Sequence, residues 1–169
     1  MLNNRSFDAS KTNWVGLWTL FSKETTRFLK VFYQTVLAPV VTNILFLTVF
    51  LIVIDRDDLV IGGVSYSEFL VPGLIMMQIL QNAFMNTSST IMISKVQGNI
   101  VDILLPPLSN LELTIALSFG GVARGMIVGL ASTIALYFFI DMKFINIFYI
   151  IFFSFSGSLS LSLLGIMGG

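Results

Sequence analysis

Tyr33-Gln-Thr-Val-Leu-Ala-Pro39-Val-Val-Thr-Asn43-Ile-Leu-Phe-Leu-Thr48-Val-Phe-Leu-Ile-Val-Ile54 runs for 22 residues without a charged side chain. Wound as an α-helix at about 1.5 Å per residue, it is long enough to cross a ~30 Å hydrocarbon core. It reads as a first membrane span. The composition around it agrees: of 169 residues, 56% are hydrophobic and only 11% charged, against roughly a quarter charged in a soluble domain.

Downstream, Asp55, Arg56, Asp57 and Asp58 close the first span, and a loop with Gly62 and Gly63 leads to Ser65-Tyr-Ser-Glu68, spaced as a helix capping box. A second span runs uncharged from Phe69 to Ser94 and stops at Lys95, with Pro72 expected to kink it without ending it. Lys95 to Glu112 is a polar connection that cannot lie in hydrocarbon. Leu113 to Ile140 is a third span interrupted by Arg124, Asp141 to Lys143 is a turn, and Phe144 to Gly169 is a fourth apolar run. The four spans fall at about 33–54, 69–94, 113–140 and 144–169.

Upstream, Met1 to Asn13 is polar, with Arg5, Asp8 and Lys11, and does not have the pattern of a cleaved signal peptide. From Trp14 to Phe32 the residues Trp14, Leu17, Trp18, Phe21, Phe28 and Phe32 recur at helical steps, while Lys23, Arg27 and Lys30 gather on the opposite face. Residues 1–32 are therefore read as a cytoplasmic N-terminus plus an amphipathic interfacial helix, and 33–169 as a transmembrane domain. The fold class expected is an all-α, polytopic integral membrane protein. Five Lys and Arg precede the first span, against one Arg and four acids from Asp55 to Glu68, which places the N-terminus and the Lys95–Glu112 connection in the cytoplasm.

Nine Lys and Arg balance nine Asp and Glu, so no global field favours nucleic acid. With no Cys and no His, the chain has no disulfides, thiol nucleophiles, imidazole bases or common zinc sites. No Gly is followed by Lys, so a phosphate-binding loop is absent and any ATP must be handled by a partner. Asp55, Asp57 and Asp58 read as a solvated span boundary in preference to a calcium or catalytic carboxylate group.

Gln78, Asn82 and Asn86 fall four apart on one face of the second span, either as interhelical hydrogen-bonding groups or as one wall of a polar path. Gly121, Gly125 and Gly129 form a similar series in the third span, as do Ser154, Ser158 and Ser162 in the fourth; small faces of this kind allow helices to approach closely. Val128 lies off the glycine stripe. Arg124 is ~24 Å of helix from Asp141, hence near the cytoplasmic side, where it can snorkel, pair or gate. Met76, Met77 and Met85 suit an amphipathic cargo as well as ordinary helix contacts.

Several stretches in this order resemble the permease subunits of bacterial ABC-type exporters of the type-two permease family. They are Lys23-Glu24 with Arg27-Phe28; Gln34-Thr-Val-Leu-Ala-Pro39-Val; Glu68-Phe-Leu-Val-Pro72-Gly73-Leu-Ile-Met-Met77; Lys95-Val-Gln-Gly98-Asn-Ile; Asp102-Ile-Leu-Leu105-Pro-Pro107-Leu-Ser; and Gly120-Gly-Val-Ala-Arg124-Gly125. The resemblance implies a multi-pass protein of the bacterial cytoplasmic (inner) membrane, paired with a second permease copy and with a separate ATP-binding subunit. ATP and Mg would lie on that partner, leaving this chain without a cofactor and without catalysis of its own.

The resemblance also makes Lys95 to Leu108 a coupling segment against the ATPase, with Lys95, Val96, Gln97, Gly98, Asn99, Asp102, Leu105 and Pro106 as its residues. It further implies six spans per subunit, with short re-entrant helices between the fifth and sixth, so this four-span sequence ending at Gly168-Gly169 reads as truncated from such a permease. The competing reading is a non-transporting membrane scaffold that packs small-residue faces against other helices. An intramembrane enzyme is disfavoured by the lack of His, Cys and paired buried carboxylates.

Overall fold

The computed structural model describes residues 13–54, 60–61, 63–140 and 146–169. The acids at 55, 57 and 58, the turn from Asp141 to Lys143, and the polar stretch through Lys11 lie outside the described residues.

Helix α1 (Trp14–Lys30) starts at Asn13, whose side chain accepts the Gly16 N–H at 2.9 Å. After a short corner, a π-helical turn (Tyr33–Leu37) feeds α2 (Ala38–Ile54). The wide turn has a local cause in Pro39. An α-helical Pro39 ring would collide with the Thr35 carbonyl, and the turn opens so that the Ala38 N–H reaches back to Tyr33 O. Thr35 Oγ1 lies 2.9 Å from Phe28 O and 3.1 Å from Val31 O, tying this turn to the end of α1.

Two-residue strands β1 (Val60–Ile61) and β2 (Val64–Ser65) pair antiparallel, Val60 opposite Ser65 and Ile61 opposite Val64. Gly63 has φ +87°, a conformation open to glycine at little cost. Helix α3 (Tyr66–Val96) follows, capped by Ser65 Oγ, which accepts the Glu68 N–H at 3.4 Å, and it continues through Pro72. At its far end Gly98 (φ +73°) and Asn99 turn back, with Gly98 N–H donating to Lys95 O and Asn99 N–H to Ser94 O. These two bonds make a Schellman stop. A short helix α4 (Ile100–Leu104) leads to α5 (Asn110–Tyr137), and α6 (Ile147–Gly168) ends the chain.

Helix α5 begins three residues before the apolar run at Leu113. Ser109 and Glu112 form a full capping box there, which satisfies the first orphan amides of the helix.

Four helical stretches are long and apolar enough to cross a membrane: Tyr33–Phe50, Glu68–Val96, Asn110–Tyr137 and Ile147–Gly168. The protein is thus an all-α polytopic membrane protein, apart from the small β1–β2 ribbon. Helix α3 is the hub, packed on both α5 and α6, while α2 lies on α3 and α5, and α1 lies along α5. One apolar cluster (Leu47, Val71, Ile75, Ile79, Leu136) fills the end nearer the ribbon, and another (Leu20, Ala116, Leu117) fills the α1 end.

The buried line of α1 is Leu20, Glu24 and Phe28, whereas Trp14 and Trp18 are exposed. The aromatic line is thus left free on the outer side of α1, while a second line packs against the bundle. Of the three cations on α1, Lys23 and Lys30 are exposed, while the Arg27 head bonds Asn86 and Thr90 of α3.

Candidate functional site

The Lys95–Leu108 connection is bonded and packed from behind. Glu112 Oε1 accepts the Asn13 N–H at 2.6 Å, its Oε2 accepts the Ser109 N–H at 2.7 Å, and Asn13 Nδ2 reaches Pro107 O at 3.4 Å. Leu108 packs against the cluster of Leu20, Ala116 and Leu117, so close to Gly16 that a Cβ there would meet Leu108 Cδ2 at 2.8 Å. Ile103 anchors α4 from inside. The start of α1, the connection and the start of α5 therefore form one block.

The outer surface of this block is apolar where water would be expected. Val96, Val101, Leu104 and Leu105 are 83%, 53%, 61% and 72% exposed. They lie in a segment whose Gln97, Gly98, Asn99, Asp102 and Pro106 are also exposed and cannot enter hydrocarbon. Lys95 donates to Gly169 O at 2.7 Å. Exposed apolar side chains are thus interleaved with exposed polar groups on a braced element.

The amide stripe faces inward. Gln78, Asn82 and Asn86 are all buried, and Asn82 Nδ2 donates to Gln78 O at 3.0 Å. Asn86 faces α1, where Arg27 Nη2 approaches Asn86 O at 3.2 Å and Asn86 Oδ1 at 3.3 Å, and also bonds Thr90 Oγ1. Glu24, 3% exposed, pairs with Arg27 at 3.0 Å and accepts from Thr90 Oγ1 at 2.8 Å. This cluster links α1 to α3. A Cβ on Gly120 would meet the Glu24 Cβ at 3.0 Å, so α5 closes the third side. Arg124 lies one turn further along α5 on the same face.

Sequence reasoning missed Glu24 and Thr90. Thr90 was available, because it continues the four-residue series Gln78, Asn82, Asn86.

The glycine series faces α3. A Cβ on Gly121 would meet Ala83 O at 2.9 Å, and one on Gly125 would meet Ile79 O at 2.7 Å; Gly129 lies against the Ile79 side chain. Ser154, Ser158 and Ser162 are buried. Thr87 Oγ1 donates to Ser162 O and Ser162 Oγ to Ser118 O, each at 2.9 Å, joining α3, α6 and α5 in one chain of bonds. Val128 is also fully buried.

Between α3 and α6 lies an open groove of about 610 Å³ lined by Gly73, Met76, Met77, Leu80, Gln81, Phe84 and Leu161. Exposed Gln81 is its one amide lining residue. Among the described residues no group of His, Cys, Asp and Glu could hold a metal ion.

Residues 15–169 match the model of a family described as ABC-2 type transporter. The chain is 36% identical over 130 residues to the inner membrane transport permease YadH of Escherichia coli K12, and equally to the proteins of that name from E. coli O157:H7 and Shigella flexneri. The match covers 77% of this chain and 51% of each relative, so the chain spans about half the length of the curated relatives it matches. No solved structure matches it.

Proposed function

The chain belongs to the ABC-2 type transporter family, and from that premise we propose that it is a permease subunit of an ATP-driven exporter in the bacterial inner membrane. A separate ATP-binding subunit hydrolyses ATP with Mg, and a second permease copy completes the pathway. The N-terminus and the Lys95–Leu108 segment face the cytoplasm in this reading, in keeping with the five cations before the first span.

One observation carries the proposal: the exposed apolar patch Val96, Val101, Leu104 and Leu105 on a connection clamped to α1 and α5. An ATPase can drive alternating access only if its closure displaces an element that moves as a unit with the spans. A patch on a floppy loop would absorb that motion, whereas this one is braced through Asn13, Leu108 and Glu112. The scaffold reading has less support, because the small-residue faces it would offer to other helices are already occupied within the chain by Ile79, Ala83 and Thr87.

A photo-reactive side chain at exposed Gln97 tests the reading. In cells expressing the ATP-binding subunit encoded beside this chain, the expected product is a crosslink to that soluble subunit, which also requires this end of α3 to be cytoplasmic. Adducts formed only with membrane helices would count against both the exporter reading and the orientation.

A further inference from the structure

The cluster on α1, α3 and α5 contains more cations than acids. Glu24 is committed to Arg27 at 3.0 Å and to Thr90 at 2.8 Å. Arg124 feels the charge of Arg27 but, among the described residues, makes no hydrogen bond or ion pair. Its Nε is buried without a partner, and so is Asn86 Nδ2, which lies beside Gly120. Glu112, the one carboxylate of α5, is ~18 Å away along the helix and is held in its capping box. The site therefore has two cations, one acid and two unfilled donors.

Its depth identifies what fills it. Asn86 is 20 residues from Tyr66 at the opposite end of α3, about 30 Å of helix and hence one hydrocarbon thickness. Arg124, midway along α5 and ~20 Å from Tyr137 on the same count, extends its long side chain toward that level, because helical side chains lean toward the helix N-terminus. The donors thus lie at the headgroup level of the leaflet on the α1 side. An unpaired guanidinium there is too costly to leave bare, and the surrounding medium supplies phosphate oxygens able to accept from it bidentately.

We propose that Arg124 and Arg27, with the Asn86 amide, bind the phosphate of an anionic headgroup at the junction of α1 and α5. The phosphate neutralises the excess cation and fixes α1 against the spans. This makes lipid charge part of the packing between the amphipathic helix and the bundle, independently of the transport reading.

The test uses the protein in nanodiscs of phosphatidylcholine, with and without phosphatidylglycerol, and counts retained lipids by native mass spectrometry alongside the melting temperature. The chain should retain phosphatidylglycerol selectively and be stabilised by it. Arg124→Gln should lose roughly fivefold of that preference, the effect of one near-surface cation, while Arg124→Lys should keep most of it and Lys23→Gln should change it little. Stabilisation by inorganic phosphate in phosphatidylcholine discs, absent in Arg124→Gln, would assign the same site to a free phosphate group. Equal phosphatidylglycerol preference in the wild type and Arg124→Gln, with unchanged melting in pure phosphatidylcholine, would overturn the proposal.

Discussion

Gly125→Leu is expected to separate α5 from α3 and to cost about 3 kcal/mol or more, the upper end for overpacked cores. The Cβ alone would approach Ile79 O to 2.7 Å and Ala83 Cβ to 3.3 Å. The first neighbour is a backbone atom inside a helix, so relief requires α3 itself to shift. Ile134→Leu on the same helix is the control, because Ile134 is 54% exposed and lipid tails are as apolar as either side chain. Thermal unfolding in detergent should show a large loss for the first variant and almost none for the second. Val128, on another face of α5, cannot serve as this control because it is fully buried. Equal behaviour of Gly125→Leu and Ile134→Leu would show that the glycine face is not a helix contact.

Arg27→Gln should be the most damaging change on α1. It leaves Glu24, 3% exposed, without its cation, and an uncompensated buried charge typically costs about 3–5 kcal/mol. The double variant Glu24→Gln with Arg27→Gln removes both charges and should recover much of that loss, since paired amides can still bond Thr90 and Asn86. Melting temperatures of the two single variants and the double variant form a cycle with a large coupling term. Simple additivity would mean that the pair is not a unit.

The architecture was legible because lipid enforces it. Each long apolar run became a helix long enough to cross a membrane, and Ser65 capped α3 as its spacing with Glu68 implied. Ser109-Asn-Leu-Glu112 carried the same pattern, but the start of the apolar run at Leu113 obscured it. The inward turn of Arg27 was hidden for a different reason. A helix with aromatic residues on one line and Leu20, Glu24 and Phe28 on another has two plausible inner faces, and only the polar stripe of α3 decides between them. The brace behind the Lys95–Leu108 connection depends on Asn13 meeting Glu112, 99 residues away, which no local pattern reports.

In the proposed exporter, closure of an ATP-binding subunit is expected to move the Lys95–Leu108 block and, with it, the spans of two permease copies. The chain has no Cys, so Asn99→Cys places a single spin label on exposed backbone whose side chain makes no cap bond. Pulsed electron–electron resonance on the reconstituted complex would report the distance between the two labels with ADP and with a trapped ATP state. A defined distance is expected that shortens when ATP is trapped, transmitted through the contacts of Asn13, Leu108 and Glu112. The absence of a paired distance, or one that stays the same in both nucleotide states with the ATPase bound, would contradict it.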